Sequence, residues 1–560
     1  MEEQLIPVSP GGRNKTIPLI VVLLLMAASC LAAYYMIAAY FKPPVDPAIY
    51  VPADAVSAMT VDLTRTTEKD AAFKAVQAIF KDAGVKDPTV KLFEEVNKQF
   101  KIDVKRDVLA HLNGTGAVAV LPAMIGKLPQ LVAVIGTRGE NDSTTVMTTL
   151  GNKLNENHMK FDRLEYDGFY YYYIPFEGPR NPYSIQTATY VGAVKSGIVY
   201  TNSDEAFKRV VDTVKGQSNL AGNKYFRIMR KKDGSTFASV YYSGASYYKL
   251  IGPAFKMASG QFAPNADDTM KSMVENNVVA VGNFDAGVDG ISFHLKGIMK
   301  KPIPTAGVSI NKLASFAPKS AAVVFATAGC DKAWKSIKAQ LGSSPQMAVQ
   351  VNAISSQIKQ FIGIDPYADL FDRITSVGGY YDPAGPIKLN GFSGNLTLVF
   401  KVDKPDVVGK ALAKIHTAVS AFGFVQIKPT KVAGVKASIV ELGPTGVFCD
   451  AISGDGLVLN MSGSNTASGL KSAIMTSTGK AQPITQSKSF QAVVKRLPRK
   501  ATAIIYCNPG SIANFLTQGA PPRDRKMVKS VSDKIGAFGM TAGSTGARYE
   551  IRAVMPFKTN

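Results

Sequence analysis

The pattern of apolar and polar positions divides this chain at residue 42. Residues 17–41 hold no charged side chain. At about 1.5 Å of rise per residue they would form a helix of roughly 37 Å, enough to cross a bilayer core of about 30 Å. Pro18 falls in the first turn, where a missing N–H costs little, and Lys42, Pro43 and Pro44 end the run. A cleaved leader has an apolar core of about 7–15 residues, whereas this run continues past Cys30 to Phe41. The expectation is a retained transmembrane anchor over 17–41. Arg13 and Lys15 before it outweigh Lys42 after it, which puts residues 1–16 in the cytoplasm and the body outside. The expected location is the plasma (inner) membrane, single-pass, with a periplasmic or extracellular ectodomain.

Beyond a proline-rich stalk over 42–50, the runs are short. Residues 56–63 alternate as a strand, and a helical period follows over 66–100. Strands are expected at 116–121, 131–137, 161–166, 169–175, 187–194 and 197–201, with a helix at 143–158. Asp167-Gly168 is a strong hairpin signal and Lys195-Ser196 marks a second turn. Helices at 205–215, 224–230 and 245–257 and strands at 236–242, 278–285 and 290–298 complete this series.

The series then recurs. Pro52-Ala-Asp-Ala-Val-Ser-Ala-Met returns as Pro318-Lys-Ser-Ala-Ala-Val-Val-Phe, and Lys98-Gln-Phe-Lys-Ile-Asp103 as Lys359-Gln-Phe-Ile-Gly-Ile-Asp365. The turn at Asp167-Gly168 matches Ala433-Gly434, and Phe226 before one strand matches Phe490 before another. Two tandem repeat domains follow, 51–300 and 301–560, joined near the Pro- and Gly-rich 300–311. Short turns between strands make antiparallel pairs. The expected fold class is α+β: an N-terminal transmembrane helix, then two copies of an antiparallel sheet with helices on one face.

The apolar run, the Pro-Ala-Asp segment opening the first strand, and Gln-Phe-Lys-Ile-Asp-Val before a helix resemble a bacterial envelope family. That family is catalogued as domain of unknown function 3352. The resemblance implies an exported location and adds no activity or site.

Charge changes the picture more than composition does. The net charge is +22, and residues 301–560 carry 31 Lys+Arg against 13 Asp+Glu, a balance of +18. The first half is close to neutral, so the asymmetry speaks to partners. The only cysteines beyond Cys30 are Cys330, Cys449 and Cys507, which excludes a disulfide framework for the whole fold. One bridge, Cys330–Cys507, is open if the strands that these residues end are neighbours.

Catalytic signatures are missing. His111, His158, His294 and His416 stand at no metal-ligand spacing, and H-E-x-x-H, C-x-x-C, G-x-S-x-G and a phosphate loop are absent. Ser468-Gly-Leu-Lys471 fits S-x-x-K, but the S-D-N and K-T-G partners of that chemistry do not occur. Asp103 and Asp365 read as helix N-caps. Tyr170, Tyr171, Tyr172, Tyr173, Tyr241, Tyr242, Tyr247 and Tyr248 read as strand residues before they read as a stacking platform.

Basic clusters are what survives. Arg227, Arg230, Lys231 and Lys232 precede one strand, and Lys495, Arg496, Arg499 and Lys500 precede its counterpart. The second half adds Arg523, Arg525, Lys526 and Lys529. These twelve are the candidate binding residues for an anionic envelope polymer or lipid headgroups, ahead of nucleic acid, with protein partners left open. No catalytic, cofactor or metal residue is expected. The function reading is non-catalytic binding or scaffolding at the cell envelope; the alternative is an envelope hydrolase with an unrecognised site.

Overall fold

A computed structural model describes residues 45–64, 69–70, 74, 103–122, 129–175, 188–231, 235–248, 250, 276–287, 289–300, 307–342, 345–383, 394–421, 426–441, 447–462, 467–516 and 521–558. Ten strands come from the first half: β1 Ser57–Asp62, β2 Leu112–Leu121, β3 Gln130–Thr137, β4 Asp162–Tyr166, β5 Phe169–Pro175, β6 Ala188–Val194, β7 Gly197–Thr201, β8 Thr236–Ser243, β9 Asn277–Gly287 and β10 Gly290–Met299. Ten strands of the same sheet come from the second, beside a separate two-stranded ladder of Val308–Ser309 with Lys500–Ala501: β11 Val323–Ala328, β12 Ile374–Asp382, β13 Asn395–Val402, β14 Ile427–Val432, β15 Val435–Glu441, β16 Val447–Ser453, β17 Gly456–Ser462, β18 Ala503–Cys507, β19 Phe538–Thr545 and β20 Arg548–Pro556.

The first ten pair in the order β4-β5-β6-β7-β3-β2-β1-β8-β9-β10, every neighbour antiparallel. The second ten repeat that order strand for strand, β14-β15-β16-β17-β13-β12-β11-β18-β19-β20. Strand β10 then pairs with β20 from Gly290 opposite Pro556 to Ile298 opposite Arg548. The two halves therefore share one 20-stranded sheet, where the sequence pattern suggests a separate sheet in each copy. Edge strands left unpaired are liabilities, and this pairing removes one from each half.

Local sequence accounts for the hairpins. Asp167 (φ 49°) and Gly168 (φ 82°), like Ala433 (φ 50°) and Gly434 (φ 86°), take the left-handed conformation that a two-residue turn demands. Asp365 accepts from the N–H groups of Tyr367 and Ala368 at 3.0 and 3.1 Å, and Asp103 from those of Lys105 and Arg106 at 3.1 and 3.2 Å. Both are therefore caps of one-turn helices.

The longer helices are α1 Glu140–Glu156, α2 Asp204–Lys215, α3 Lys224–Met229, α4 Cys330–Gly342, α5 Pro345–Ile362, α6 Pro405–Ala421, α7 Ser468–Ser477, α8 Lys488–Val494, α9 Pro509–Leu516 and α10 Pro522–Lys534. In α2 the period of Phe207, Val210 and Val211 buries one face completely. Ser203 caps its start by accepting from Ala206 N at 3.1 Å, and Gly216 (φ 135°) ends it. Each half has its own core. Tyr50, Phe207, Leu220 and Phe226 centre the first, and Tyr380, Leu470, Phe490 and Tyr506 the second. Burying each such side chain contributes about 1.5–3 kcal/mol.

Two expectations are corrected, and the disulfide left open by the sequence is not formed. Among the described residues no helix is long and apolar enough to cross a membrane. The expected anchor at 17–41 lies outside the described residues, and the described fold is mostly antiparallel sheet with helices rather than one that includes a membrane-spanning helix. Residues 47–50, read as stalk, instead form a 3-10 helix that buries Ala48 and Tyr50 in the first core. Cys330, Cys449 and Cys507 are free thiols. β11 and β18 are neighbours, but antiparallel pairing sets Cys507 opposite Val323. Cys330 follows the far end of β11, about 20 Å of strand away. Most of the expected helices at 66–100 and 245–257 lies outside the described residues.

Candidate functional site

The first basic group is largely built into the fold. Asn223 caps α3, its Oδ1 accepting from Tyr225 N (3.0 Å) and Phe226 N (3.2 Å). Arg227 leaves this helix into solvent. Arg230 turns inward: its side chain is 9% exposed and donates to both carboxylate oxygens of Asp46 at 2.8 Å. Its guanidinium also lies 5.1 Å from the centre of the Phe226 ring. Asp46 in turn caps the 3-10 helix, accepting from Ala48 N at 3.1 Å. Lys231 donates its main-chain N–H to Asn283 Oδ1 at 3.0 Å, and its ammonium lies 3.4 Å from Asp285. Lys232 lies outside the described residues.

The second group has the same place in its half and different neighbours. Pro52 bridges Asn219 as Pro318 bridges Pro483, so counting back from these prolines puts Lys312 where Asp46 stands. Counting on from Phe490, the counterpart of Phe226, puts Val494 in the place of Arg230 and Lys495 in that of Lys231. On the sheet, Asp285 faces Ser292, the third residue of β10, and Gly543 faces Glu550, the third of β20. Both acids of the first half thus have non-acidic counterparts, one of them a lysine. Lys495, Arg499 and Lys500 are exposed. A short ladder of Lys500–Ala501 with Val308–Ser309 fixes their backbone. Arg496 does other work: it donates to the Asp289 carbonyl at 2.9 Å and lies 3.4 Å from the Asp289 carboxylate, tying the two halves together.

The third group lies on α10. Arg525, Lys526 and Lys529 are exposed, and the Arg523 side chain lies outside the described residues. No described contact joins this group to Lys495, Arg499 or Lys500. Of the twelve candidates, Arg230 and Lys231 are neutralised within the fold, Arg496 clamps the two halves together, Arg227, Lys495, Arg499, Lys500, Arg525, Lys526 and Lys529 are exposed, and the side chains of Lys232 and Arg523 lie outside the described residues.

The histidines have partners that sequence spacing did not reveal. His111 Nδ1 lies 2.7 Å from Asp142, which Arg138 also contacts at 3.0 Å. Burial pushes the Asp142 carboxyl up, but the hydrogen bonds from His111 and Arg138 outweigh it and hold the group below the usual carboxylate range. His416 on α6 has Nδ1 3.3 Å from Ser438 Oγ on β15 and Nε2 3.0 Å from Asp450 on β16. Burial raises the Asp450 carboxyl against the opposing charge of His416, and pushes the neighbouring Cys449 thiol up to about 11.

Hydroxyl, imidazole and carboxylate in sequence suggest a nucleophile relay. The strand that carries Ser438, β15, is paired on both sides, with β14 and β16. Its backbone N–H groups are thus committed to ladders rather than converging as oxyanion donors. The duplicate supplies the structural account. Tyr172 faces Val191 across β5 and β6 as Ser438 faces Asp450 across β15 and β16. A Cβ at Gly151, which stands where His416 does, would overlap the Tyr172 ring. In one half a tyrosine fills the space under the helix, and in the other a hydrogen-bonded polar trio fills it.

The tyrosines belong to the sheet. Tyr171 stacks on Phe207 with ring centres 4.2 Å apart, and Tyr173 lies 5.3 Å from Tyr190. Among the described residues no group of three metal-ligating side chains is gathered.

Comparisons with known proteins add one identification. A solved structure titled "Structure of crystal form I of TP0453" is similar at 10% identity and a TM-score of 0.23, covering 47% of this chain and 83% of that one. A likeness that weak carries no argument. No curated protein matches the sequence. A family model described as "Protein of unknown function (DUF3352)" matches residues 18–553, nearly the whole length, and the chain belongs to that family.

Proposed function

We propose that this protein is a non-catalytic binding or scaffolding protein of the cell envelope whose second half engages an anionic polymer or headgroup surface. The envelope location rests on the sequence flanking 17–41. One observation carries the binding reading. Arg230 and Lys231 of the first basic group are neutralised by Asp46 and Asp285, while the second group has Lys312 and Gly543 at the positions of those acids. Lys495, Arg499 and Lys500 face solvent on a half whose balance is +18. Counterions condensed on a polyanion are released to solution when such a surface binds it, so binding weakens steeply with salt.

The test is co-sedimentation of the full chain with phosphatidylglycerol vesicles and with poly(glycerol phosphate) across a salt series. Phosphatidylcholine vesicles and dextran serve as uncharged controls. Binding to the charged probes that falls with salt supports the reading. Equal association with charged and uncharged probes, or none with either, refutes it.

A further inference from the structure

A ring that fills space in the first half is displaced in the second, beside a cavity. Tyr50 is 1% exposed. Its ring packs on Gly197, where a Cβ would come within 3.0 Å of it, and its hydroxyl meets Ser196 Oγ at 3.3 Å. Counting from Pro52 and Pro318, the matching residue is Phe316. Its ring lies instead against Gly378 on β12, where a Cβ would overlap it, and 6.3 Å from the Tyr380 ring.

Strand register explains the change. Gly378 faces Val399 on β13 as Ala117 faces Val134 on β3, so a methyl group in the first half becomes a hydrogen in the second. Phe316 has no hydroxyl to seek the hairpin, and the glycine admits its ring. The hairpin glycine Gly456, counterpart of Gly197, then has no ring over it; its Cβ would meet only Ser453 O at 3.4 Å and Val399 at 3.7 Å.

The space beside Gly456 belongs to a half-open cavity of about 600 Å³, within the roughly 300–1,000 Å³ of small-molecule sites. Phe316, Val399 and Val458 supply apolar wall. Lys401, Asp455, Lys480, Gln482 and Gln486 supply polar groups. Lys401 lies 3.1 Å from Asp455, and Lys480 has no ion-pair partner among the described residues. In the first half Lys401 corresponds to Gly136, and Lys480, which follows Gly479, corresponds to Gln217, which follows Gly216. At this place the second half has two ammonium groups, those of Lys401 and Lys480, where the first half has Gly136 and Gln217.

We infer that this cavity takes one sugar or polyol unit bearing a phosphate or carboxylate. The anionic group would meet Lys480, the hydroxyls would meet Asp455 and the two glutamines, and the carbon face would lie on Phe316. The inference deepens the anionic-partner reading and rests on it, making the cavity the place where a unit of such a polymer is read. An uncharged sugar would forgo the attraction of the Lys480 ammonium, and inorganic phosphate would leave the apolar wall uncovered.

The experiment is calorimetric titration of the full chain with glucose 6-phosphate, glucuronate and sn-glycerol 3-phosphate, with glucose and inorganic phosphate as controls. At least one of the three probes should bind about tenfold or more tightly than either control. Lys480→Gln should weaken that probe about tenfold, and Gly378→Ala should abolish its binding by driving the Phe316 ring back into the cavity. Lys480 is exposed, so its variant keeps the fold even if Gly378→Ala does not. No binding of any probe, or binding that Lys480→Gln leaves unchanged, overturns the inference. Co-sedimentation with poly(glycerol phosphate) separates the two failures. If it survives while the probes fail to bind, only the cavity is refuted; if it is absent altogether, the partner reading falls first.

Discussion

His294 faces Arg552 across the seam between the two halves, and each is the fifth residue of its own strand. The pair lies on the local twofold that relates β10 to β20, so the seam joins a surface to its own duplicate. Interfaces of that kind are the ones homodimers use. Arg496 with Asp289, and Tyr549 with Asn277 at 2.9 Å, fasten it on either side.

A fragment of residues 45–300 therefore exposes β10 as an edge matched to itself. The fragment should form a dimer in which His294 faces His294, measured by light scattering after size exclusion. Strand addition at a free edge drives the association. A folded monomer at micromolar concentration would contradict the seam.

The seam also predicts a pH dependence. His294 Nε2 lies 2.7 Å from Glu550. Burial lowers the His294 pKa from its ordinary 6.5, with Arg552 and Lys296 adding to it against the opposing pull of Glu550. Burial pushes Glu550 up, but the hydrogen bond and charge of Arg552, with His294, outweigh it and hold Glu550 below its ordinary 4.5. Both groups bind fewer protons folded than unfolded, so both contributions are present at high pH. Stability should begin to fall as pH drops through 6.5 and fall further below 4.5. The Glu550 side chain is 39% exposed, so screening limits its share to about 0.2–1 kcal/mol. Melting temperature against pH checks this: Glu550→Gln should flatten the lower limb and, by removing the pull that holds His294 up, deepen the upper one.

Arg230 and Arg227 separate structure from surface. Arg230→Ala should cost roughly 3 kcal/mol, because it leaves the Asp46 carboxylate without its guanidinium. Arg227→Ala should stay within about 0.5 kcal/mol. Chemical denaturation of both variants decides, and equal effects would mean that the Asp46 contact carries no stability.

Gly297 is crowded by the seam. A Cβ there would overlap the ring of Tyr549, its partner across the sheet. Gly297→Ala should therefore lower stability by about 1–3 kcal/mol as the ring is forced off its site. The same denaturation measurement tests it.

Local chemistry was legible in the sequence, and long-range pairing was not. The turns at Asp167-Gly168 and Ala433-Gly434 and the caps at Asp103 and Asp365 depend on neighbours two or three residues away, and their residue types name them. The recurrence of elements was legible because order and spacing survive when identities do not. The β10–β20 seam was not, because a strand that alternates like an edge reads the same whether or not a duplicate covers it. Arg230 looked like one cation in a run, since its partner Asp46 lies 184 residues away. Ser438, His416 and Asp450 converge only through the register of β15 on β16 and the packing of α6. The apolar run at 17–41 was the loudest signal in the chain and falls outside the described fold.

On the proposed reading, the second half binds anions because its basic surface lacks the acids that neutralise Arg230 and Lys231 in the first. Restoring both acids tests it directly. Lys312 is exposed and a Cβ at Gly543 meets nothing within 4 Å, so Lys312→Asp with Gly543→Asp should leave the fold intact. Binding of the full-length double variant to poly(glycerol phosphate) should weaken, and its log-affinity against log-salt plot should be shallower than that of the unaltered chain. An unchanged affinity and salt slope would contradict the account.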